Sequence, residues 1–252
     1  MYTPRAFAQT DLARLDGLIA RDAFVTLITQ HDDGTPEVSH LPVLYARDGA
    51  RIVLEGHWAK PNPQARHTGK ALAIVHGPHA YVSPSAYPDK AQAARVPTWN
   101  YAVAHLHGVL ERIEDTDALA DLVDRLSAHY EASVGRDWRF EHDDARLIRQ
   151  LSGIVGFRLV VERAELKFKL SQNHPRANQQ AVIEDLAARD DPAAREVAAL
   201  MRGGCGPDRY RRLTRRRPSV ERSLLRCLSA GSSASRRAEL APLPFGRIVG
   251  KP

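Results

Sequence analysis

The sequence predicts a mainly β protein of the α+β class, a β-barrel with flanking helices. Six or seven segments are rich in β-branched residues or alternate between apolar and polar residues, as strands do. Two Asp-Gly pairs separate the first of these segments and indicate tight hairpin turns. Helical periodicity appears only in short stretches between strands. Barrels with inserted helices combine these features.

The first quarter of the chain predicts one helix followed by a three-stranded meander. Thr10 or Asp11 is a suitable N-cap for a helix whose apolar residues recur at helical spacing. Residues 23–29 and 37–45 then predict two strands around Asp33-Gly34, and residues 51–56 predict a third after Asp48-Gly49. The spacing of the two turns favours an antiparallel meander.

The middle and end of the chain alternate strands with helices. Asp115 or Thr116 is the expected cap of a helix with a leucine-rich face. The other predicted elements are a helix within 57–69, strands at 71–76, 80–83 and 102–113, a short helix at 143–151, a long strand at 153–170 and helices from Pro175 and after Pro192. Strand 102–113 alternates Val103, His105, His107 and Val109 against smaller or aliphatic residues.

Charge divides the chain at about residue 202. The chain has 252 residues and a formal charge of +6, but residues 203–252 hold 12 of the Lys and Arg and 3 of the Asp and Glu, a net of +9. Residues 1–202 therefore carry a net of −3 and have no bulk charge favouring nucleic acid. Three interpretations of 203–252 are open: a disordered tail, a basic arm for nucleic acid, or the translation of a shifted reading frame.

Several function classes lack their signatures. The two cysteines match no metal spacing and no disulfide framework, which favours a reducing cytoplasm. No apolar run reaches the length of a membrane helix, and no secretory signal is visible. We find no nucleophile elbow, phosphate-binding loop, dinucleotide-binding glycine pattern or helix-turn-helix. Histidines are frequent, but none forms a recognised metal motif, so no metal site is predicted.

The segment 55–66 predicts an anion site. His57 follows a strand and a glycine, and Lys60 and Arg66 accompany what the prolines suggest is a helix start. The free N–H groups of a helix N-terminus favour phosphate. Lys169, Ser171 and Gln172, at the end of a distant strand, would add hydrogen-bond donors. A capped helix with solvated cations explains the same residues equally well.

The loop 77–101 carries the densest run of unusual residues. Pro97 stiffens the chain before Trp99, Asn100 and Tyr101. In an extended strand, Trp99 and Tyr101 lie on one face and Asn100 on the other. Because two aromatic rings bury more apolar area than an amide, we expect the rings inside and Asn100 facing a ligand or partner.

Seven short stretches of the chain form a recognisable set. They are MYTP (1–4), SHLP (39–42), GH (56–57) with NPQ (62–64), GPHAYVS (77–83), VPTWNY (96–101), GIVGF (153–157) and FKLSQN (168–173). Together they resemble the PaiB-like, FMN-binding negative transcriptional regulators, a family of the flavin-binding split-barrel group. They occur in the family's order and reach to about residue 201. The chain departs from the family at Ala86, where a Trp is usual, and at Trp58, where an aliphatic residue is usual.

The resemblance implies an FMN-binding split β-barrel over residues 1–202, as a cytoplasmic homodimer with FMN at the subunit interface. It implies a negative regulator that acts through DNA or through a regulatory protein partner. The alternatives are a flavin-dependent oxidoreductase and a haem-binding or haem-degrading enzyme. The predicted cofactor-binding residues are His40, His57, Lys60, Asn62, Gln64, Tyr81, Ser83, Trp99, Asn100, Lys169, Ser171 and Gln172.

Overall fold

A mainly antiparallel sheet of eight strands organises the chain. The computed structural model describes residues 1–135 and 137–203, so nearly all of the basic segment 203–252 lies outside the described residues. The strands are β1 (Ala8–Gln9), β2 (Phe24–Gln30), β3 (Pro36–Pro42), β4 (Leu44–Asp48), β5 (Arg51–Ala59), β6 (Gly69–Val82), β7 (Thr98–Ile113) and β8 (Ile154–Lys169). Their hydrogen-bonded order is β3-β2-β6-β7-β8-β5-β4, with β1 added to β8.

Within the part of the chain that the structure describes, five α-helices accompany the sheet, in the places where the periodicity predicted them. They are α1 (Ala13–Arg21), α2 (Thr116–Val134), α3 (Ala145–Gln150), α4 (Arg176–Ala188) and α5 (Pro192–Met201). The Asp115 carboxylate caps α2 by accepting from the amide of Ala118, as its position suggested. Within the described residues, no helix combines the length and the apolar character that crossing a bilayer requires.

The main core lies on the inner face of the sheet, where α1, α4 and α5 cover β6. The inward side chains of β7 are its even-numbered residues, among them Ala102, Ala104, Leu106 and Leu110. Helix α2 covers the opposite side of β4 and β5 in a second apolar cluster. There the buried Glu55 carboxylate pairs with Arg125 and Arg158, which compensates its charge.

The sheet is an open barrel whose edge strands β3 and β4 do not pair with each other in the described residues. This agrees with the predicted α+β, mainly β, split-barrel class. The gap beside β3 is bridged by side chains of the turn after β5. Gln64 donates to the carbonyls of Leu27 and Glu37 at 3.0 and 2.9 Å. Asn62 donates to the hydroxyl of Ser39 at 3.0 Å.

The helix predicted within 57–69 is wrong. Strand β5 continues through His57 to Ala59, because these residues pair with Ile154–Gly156 of β8. The only helical turn in the segment is a single 3-10 turn, Pro63–Arg66, before β6 begins at Gly69. Prolines 61 and 63 leave too few consecutive amides for an α-helix. The segments predicted as strands 71–76 and 80–83 are parts of one continuous strand, β6, with an irregularity between His76 and His79.

Candidate functional site

The turn after β5 does not provide the expected helix N-terminus. Lys60 and Arg66 are exposed on a turn too short to carry an appreciable dipole. The Asn62 side chain caps the amide of Gln64 at 2.9 Å, so it holds the turn in shape. His57 is half-buried, and its Nδ1 has no hydrogen-bond partner among the described residues. Burial lowers the pKa of His57, which keeps the imidazole neutral.

Gln64, a predicted cofactor contact, is instead a structural residue. Its side chain is fully buried. The amide oxygen accepts from the Trp58 indole at 2.9 Å, while the amide nitrogen lies within 3.1 Å of three oxygens, those of Leu27, Thr29 and Glu37. Every polar atom of the side chain is therefore committed to the protein. The buried Trp58 packs against Phe157, with ring centroids 4.6 Å apart.

The predicted arrangement of Trp99 and Asn100 is reversed. Asn100 is fully buried, and Trp99 is 52% exposed. Asn100 exchanges two hydrogen bonds with Ser171, at 2.9 and 3.2 Å, and donates to the sulfur of Met201 at 3.4 Å. The rest of β7 decides the outcome, since even-numbered residues of the strand face the core. A buried amide is tolerated here because partners satisfy it.

The remaining strand-end residues also serve local structure. Ser83 caps the 3-10 turn Pro84–Ala86 by accepting from the amide of Ser85. Ser171 is buried and has a positive φ of 63°, an uncommon backbone conformation for a non-glycine residue. Gln172 folds back to the carbonyl of Phe168 and the amide of Leu170. These contacts fix the end of β8.

An aromatic patch lies on the outer face of β6 and β7, defined by His79, Tyr81, Trp99 and Tyr101. Antiparallel register places Tyr81 opposite Trp99 and His79 opposite Tyr101. The Trp99 ring centroid is 5.8 Å from that of Tyr81 and 6.0 Å from that of His79. Tyr81 is 42% exposed. The patch therefore offers two large, half-uncovered rings whose positions the sheet fixes.

Two lysines of β8 border the aromatic patch. Lys169 pairs in register with Tyr101, and its ammonium donates to the hydroxyl of Thr98 and to the carbonyl of Trp99 at 2.6 Å. Burial, and secondly the charge of Lys167, lower the pKa of Lys169. Lys167 lies 5.3 Å from the ring centre of Tyr101. The predicted cofactor-binding residues did not include His79, Tyr101 or Lys167, although the sequence had already placed Tyr101 on the same face of the strand as Trp99.

His40 lies on the same outer face, farther along the sheet. It is exposed on β3, and the hydroxyl of Thr26 lies 3.1 Å from its Nδ1 and 3.0 Å from Nε2 of His76. Apart from His40, the structure divides the predicted residues into three sets. Tyr81, Trp99 and Lys169 lie together, and His57, Lys60 and Asn62 lie at the turn after β5. Gln64, Asn100, Ser171, Ser83 and Gln172 serve the fold.

These features fit a flat anionic cofactor. Exposed aromatic rings provide a stacking surface, neighbouring ammonium groups favour a negative charge, and the Nδ1 of His57 is a buried polar atom without a partner. Residues 1–163 match the model of the family described as "Putative FMN-binding domain". The chain belongs to this family. FMN is accordingly its cofactor, as the sequence motifs predicted.

The chain is also similar to individual proteins. The chain is 33% identical over 208 residues to the protease synthase and sporulation protein PAI 2 of Bacillus subtilis, covering 80% of this chain and 96% of that protein. It is 27% identical over 201 residues to an uncharacterised protein of Emericella nidulans, covering 65% and 80%. A solved FAD- and haem-binding protein of Mycobacterium smegmatis is similar at 18% identity and a TM-score of 0.48, covering 69% and 78%.

Proposed function

We propose that the chain is a homodimeric regulator that binds FMN against the aromatic patch. The observation that carries this proposal is the exposure of Trp99 and Tyr81, two large side chains that lie next to each other on the sheet and are about half uncovered. Exposed aromatic rings are favourable stacking partners for an isoalloxazine ring. Bound FMN supplies a redox-active ring, and the residues of the chain orient it and shield one of its faces from water.

Lys169 is suited to the polar edge of the ring. Its ammonium is already held by Trp99 and Thr98, so little conformational freedom is lost when it meets an acceptor. Burial, and secondly the nearby charge of Lys167, lower the pKa of Lys169 in the free protein. An electron-rich acceptor placed between the two ammonium groups relieves that repulsion. Lys169 therefore gains more from an acceptor than a solvated lysine would.

Lys60 and His57 remain our predicted contacts for the phosphate. His57 lies in β5 opposite Gly156 of β8, and Lys60 lies in the turn that follows, where only side chains and no helix dipole are available. Because Lys169 is at the other end of β8, these two side chains would contact an FMN on the aromatic patch from the second copy of the chain. Lys60 is exposed and can move toward an anion, whereas Asn62 is engaged in holding the turn. Lys60 is therefore the residue whose substitution reports on the phosphate without disturbing the fold.

A second copy of the chain is the proposed cover for the outer face. This face carries partly exposed apolar side chains, whereas the solvent-facing side of an antiparallel sheet usually carries polar ones. They are Ile28, Leu72, Ile74, Val103 and Val109. A dimer formed through this face would bury them and would enclose the aromatic patch. Sedimentation of the purified protein should give twice the mass of one chain, and a monomer at micromolar concentration would contradict the dimer.

Titration with FMN and with riboflavin tests the phosphate assignment. Lys60→Ala should weaken FMN binding several-fold and leave riboflavin binding unchanged, because the two ligands differ by the phosphate. Lys70→Ala removes another exposed lysine, at the far end of β6, and should leave both affinities unchanged. Equal loss of both ligands in Lys60→Ala would show that Lys60 does not meet the phosphate.

The regulatory role is tested by DNA binding and by turnover. We propose indirect regulation in the cytoplasm, through a protein or small-molecule partner, because residues 1–202 are net acidic. A mobility shift at several salt concentrations should therefore show no specific DNA complex for residues 1–203. A specific complex formed by that fragment would overturn indirect regulation. Rapid NADPH oxidation in the presence of FMN would favour an oxidoreductase instead.

A further inference from the structure

A cluster of two imidazoles and one carboxylate lies on the outer face of the sheet, outside the aromatic patch. His105 and His107 belong to β7, and Glu165 belongs to β8, where it pairs in register with His105. The candidate ligand atoms of these three residues all lie within 4.8 Å of one another. All three residues are half-buried. The proposed FMN site uses none of them. Leu72 and Ile74, which pair in register with His107 and His105, belong to the proposed dimer face, so a metal bound here would lie at that interface.

The strand geometry explains why the three side chains converge. Residues two apart in a strand point to the same face, so the His-x-His spacing places both imidazoles on the outside of β7. The cross-strand neighbour of His105 then contributes its carboxylate from β8. Nε2 of His107 is already 3.0 Å from Oε2 of Glu165. Backbone geometry alone therefore holds the cluster together.

We propose that His105, His107 and Glu165 bind a divalent transition-metal ion. Two imidazoles and one carboxylate are a common ligand set for zinc and for neighbouring first-row metals. With metal–ligand distances of about 2.0–2.2 Å, ligand atoms of a tetrahedral site lie roughly 3.4 Å apart. The cluster approaches this spacing, and small side-chain rotations would bring the widest pair into range. Three protein ligands leave a coordination position open for water or another ligand.

Two cations compete with the metal for the carboxylate. The amino group of Met1 lies 2.9 Å from Oε2 of Glu165, and Nη1 of Arg163 lies 2.5 Å from Oε1. The Arg163 side chain is 57% exposed, so it can turn into solvent when a metal enters. Removing this guanidinium should strengthen metal binding, because it frees one carboxylate oxygen and removes a nearby positive charge.

Equilibrium dialysis and calorimetry with Zn²⁺ test the proposal. The protein should be the full chain without an affinity tag, carrying Cys205→Ser and Cys227→Ser so that thiolates contribute nothing. We expect one Zn²⁺ per chain. His107→Ala and Glu165→Gln should each weaken it at least tenfold, because each removes a direct ligand and even the loss of a residue that only orients a ligand costs about 10–100-fold. Arg163→Gln should bind more tightly than the parent.

His142→Ala is the matched control, since it removes an imidazole that also lies near a carboxylate, 3.7 Å from Asp124, but belongs to no cluster of three potential ligands among the described residues. It should bind Zn²⁺ like the parent. In the parent protein itself, one equivalent of Zn²⁺ should shift the imidazole NMR signals of His105 and His107 and leave that of His142 unchanged. No stoichiometric binding, equal affinity in all variants, or unshifted His105 and His107 signals would each overturn the proposal.

Discussion

Substitution of Asn100 should destabilise the protein more than substitution of Trp99, although tryptophan is much the larger side chain. Asn100→Ala removes two hydrogen bonds to Ser171 and leaves the buried Ser171 hydroxyl without its partner. At about 1 kcal/mol for each net hydrogen bond, with an added penalty for a buried unsatisfied group, the loss is about 2–4 kcal/mol. Ser171 also has a positive φ that these bonds help to hold.

Trp99→Ala should cost only about 1 kcal/mol, because half of the ring is already exposed and burial of a full aromatic side chain contributes about 2–3 kcal/mol. For a chain of this size, each kcal/mol lowers Tm by about 2–4 °C. Thermal melts followed by circular dichroism should therefore place Asn100→Ala well below Trp99→Ala. Asn173→Ala, an exposed asparagine close in sequence to Ser171, should melt like the parent. A lower Tm for Trp99→Ala than for Asn100→Ala would refute the assigned faces of β7.

Three further predictions concern the scaffold around the site. Gln64→Ala should lower the free energy of unfolding, measured in urea, by about 3–5 kcal/mol, because it leaves the buried Trp58 indole and several buried acceptors without their hydrogen-bond partner. Gly108→Ala should sharply lower Tm, because the new Cβ would lie 2.1 Å from the Val160 carbonyl oxygen, whereas Gly153→Ala meets nothing within 4 Å and should be tolerated. The hydrogen bond from Arg95 lowers the pKa of Asp89 from 3.8 to about 2. The ionised Asp89 therefore contributes its full stabilisation of the fold above pH 3.8, and this contribution is lost as the pH falls through 2. Urea melts should accordingly show Asp89→Asn less stable than the parent at pH 6 and equal to it below pH 2.

Local signals were sufficient for most of the fold. The apolar period of α1 and the acidic cap of α2 predicted both helices, and the Asp-Gly pairs at Gly34 and Gly49 predicted the turns between the first strands. Both glycines have the positive φ that such turns require. The helix expected after His57 failed because pairing with β8 is a long-range interaction, which extends β5 beyond the point where local composition changes.

The candidate site was harder to predict for a related reason. The sequence prediction compared only the apolar areas of Trp99 and Asn100. The face on which each residue lies is instead set by the alternation of inward and outward residues along all sixteen residues of β7. The buried role of Gln64 depends on partners in β2 and β3 that no local pattern reveals. The His105, His107 and Glu165 cluster joins residues about sixty positions apart. Only the register of β7 against β8 brings them together.

Titration of FMN against Trp99→Ala tests the central claim, that the flavin binds on the aromatic patch. Trp138→Ala is the matched control, because Trp138 is similarly exposed, at 49%, but lies outside the patch. Followed by flavin fluorescence, Trp99→Ala should bind FMN roughly 5- to 30-fold more weakly than the parent, since a lost stacking partner removes about 1–2 kcal/mol. Trp138→Ala should bind as the parent does. Parent-like FMN affinity in a folded Trp99→Ala variant would contradict the assignment of the flavin to this face.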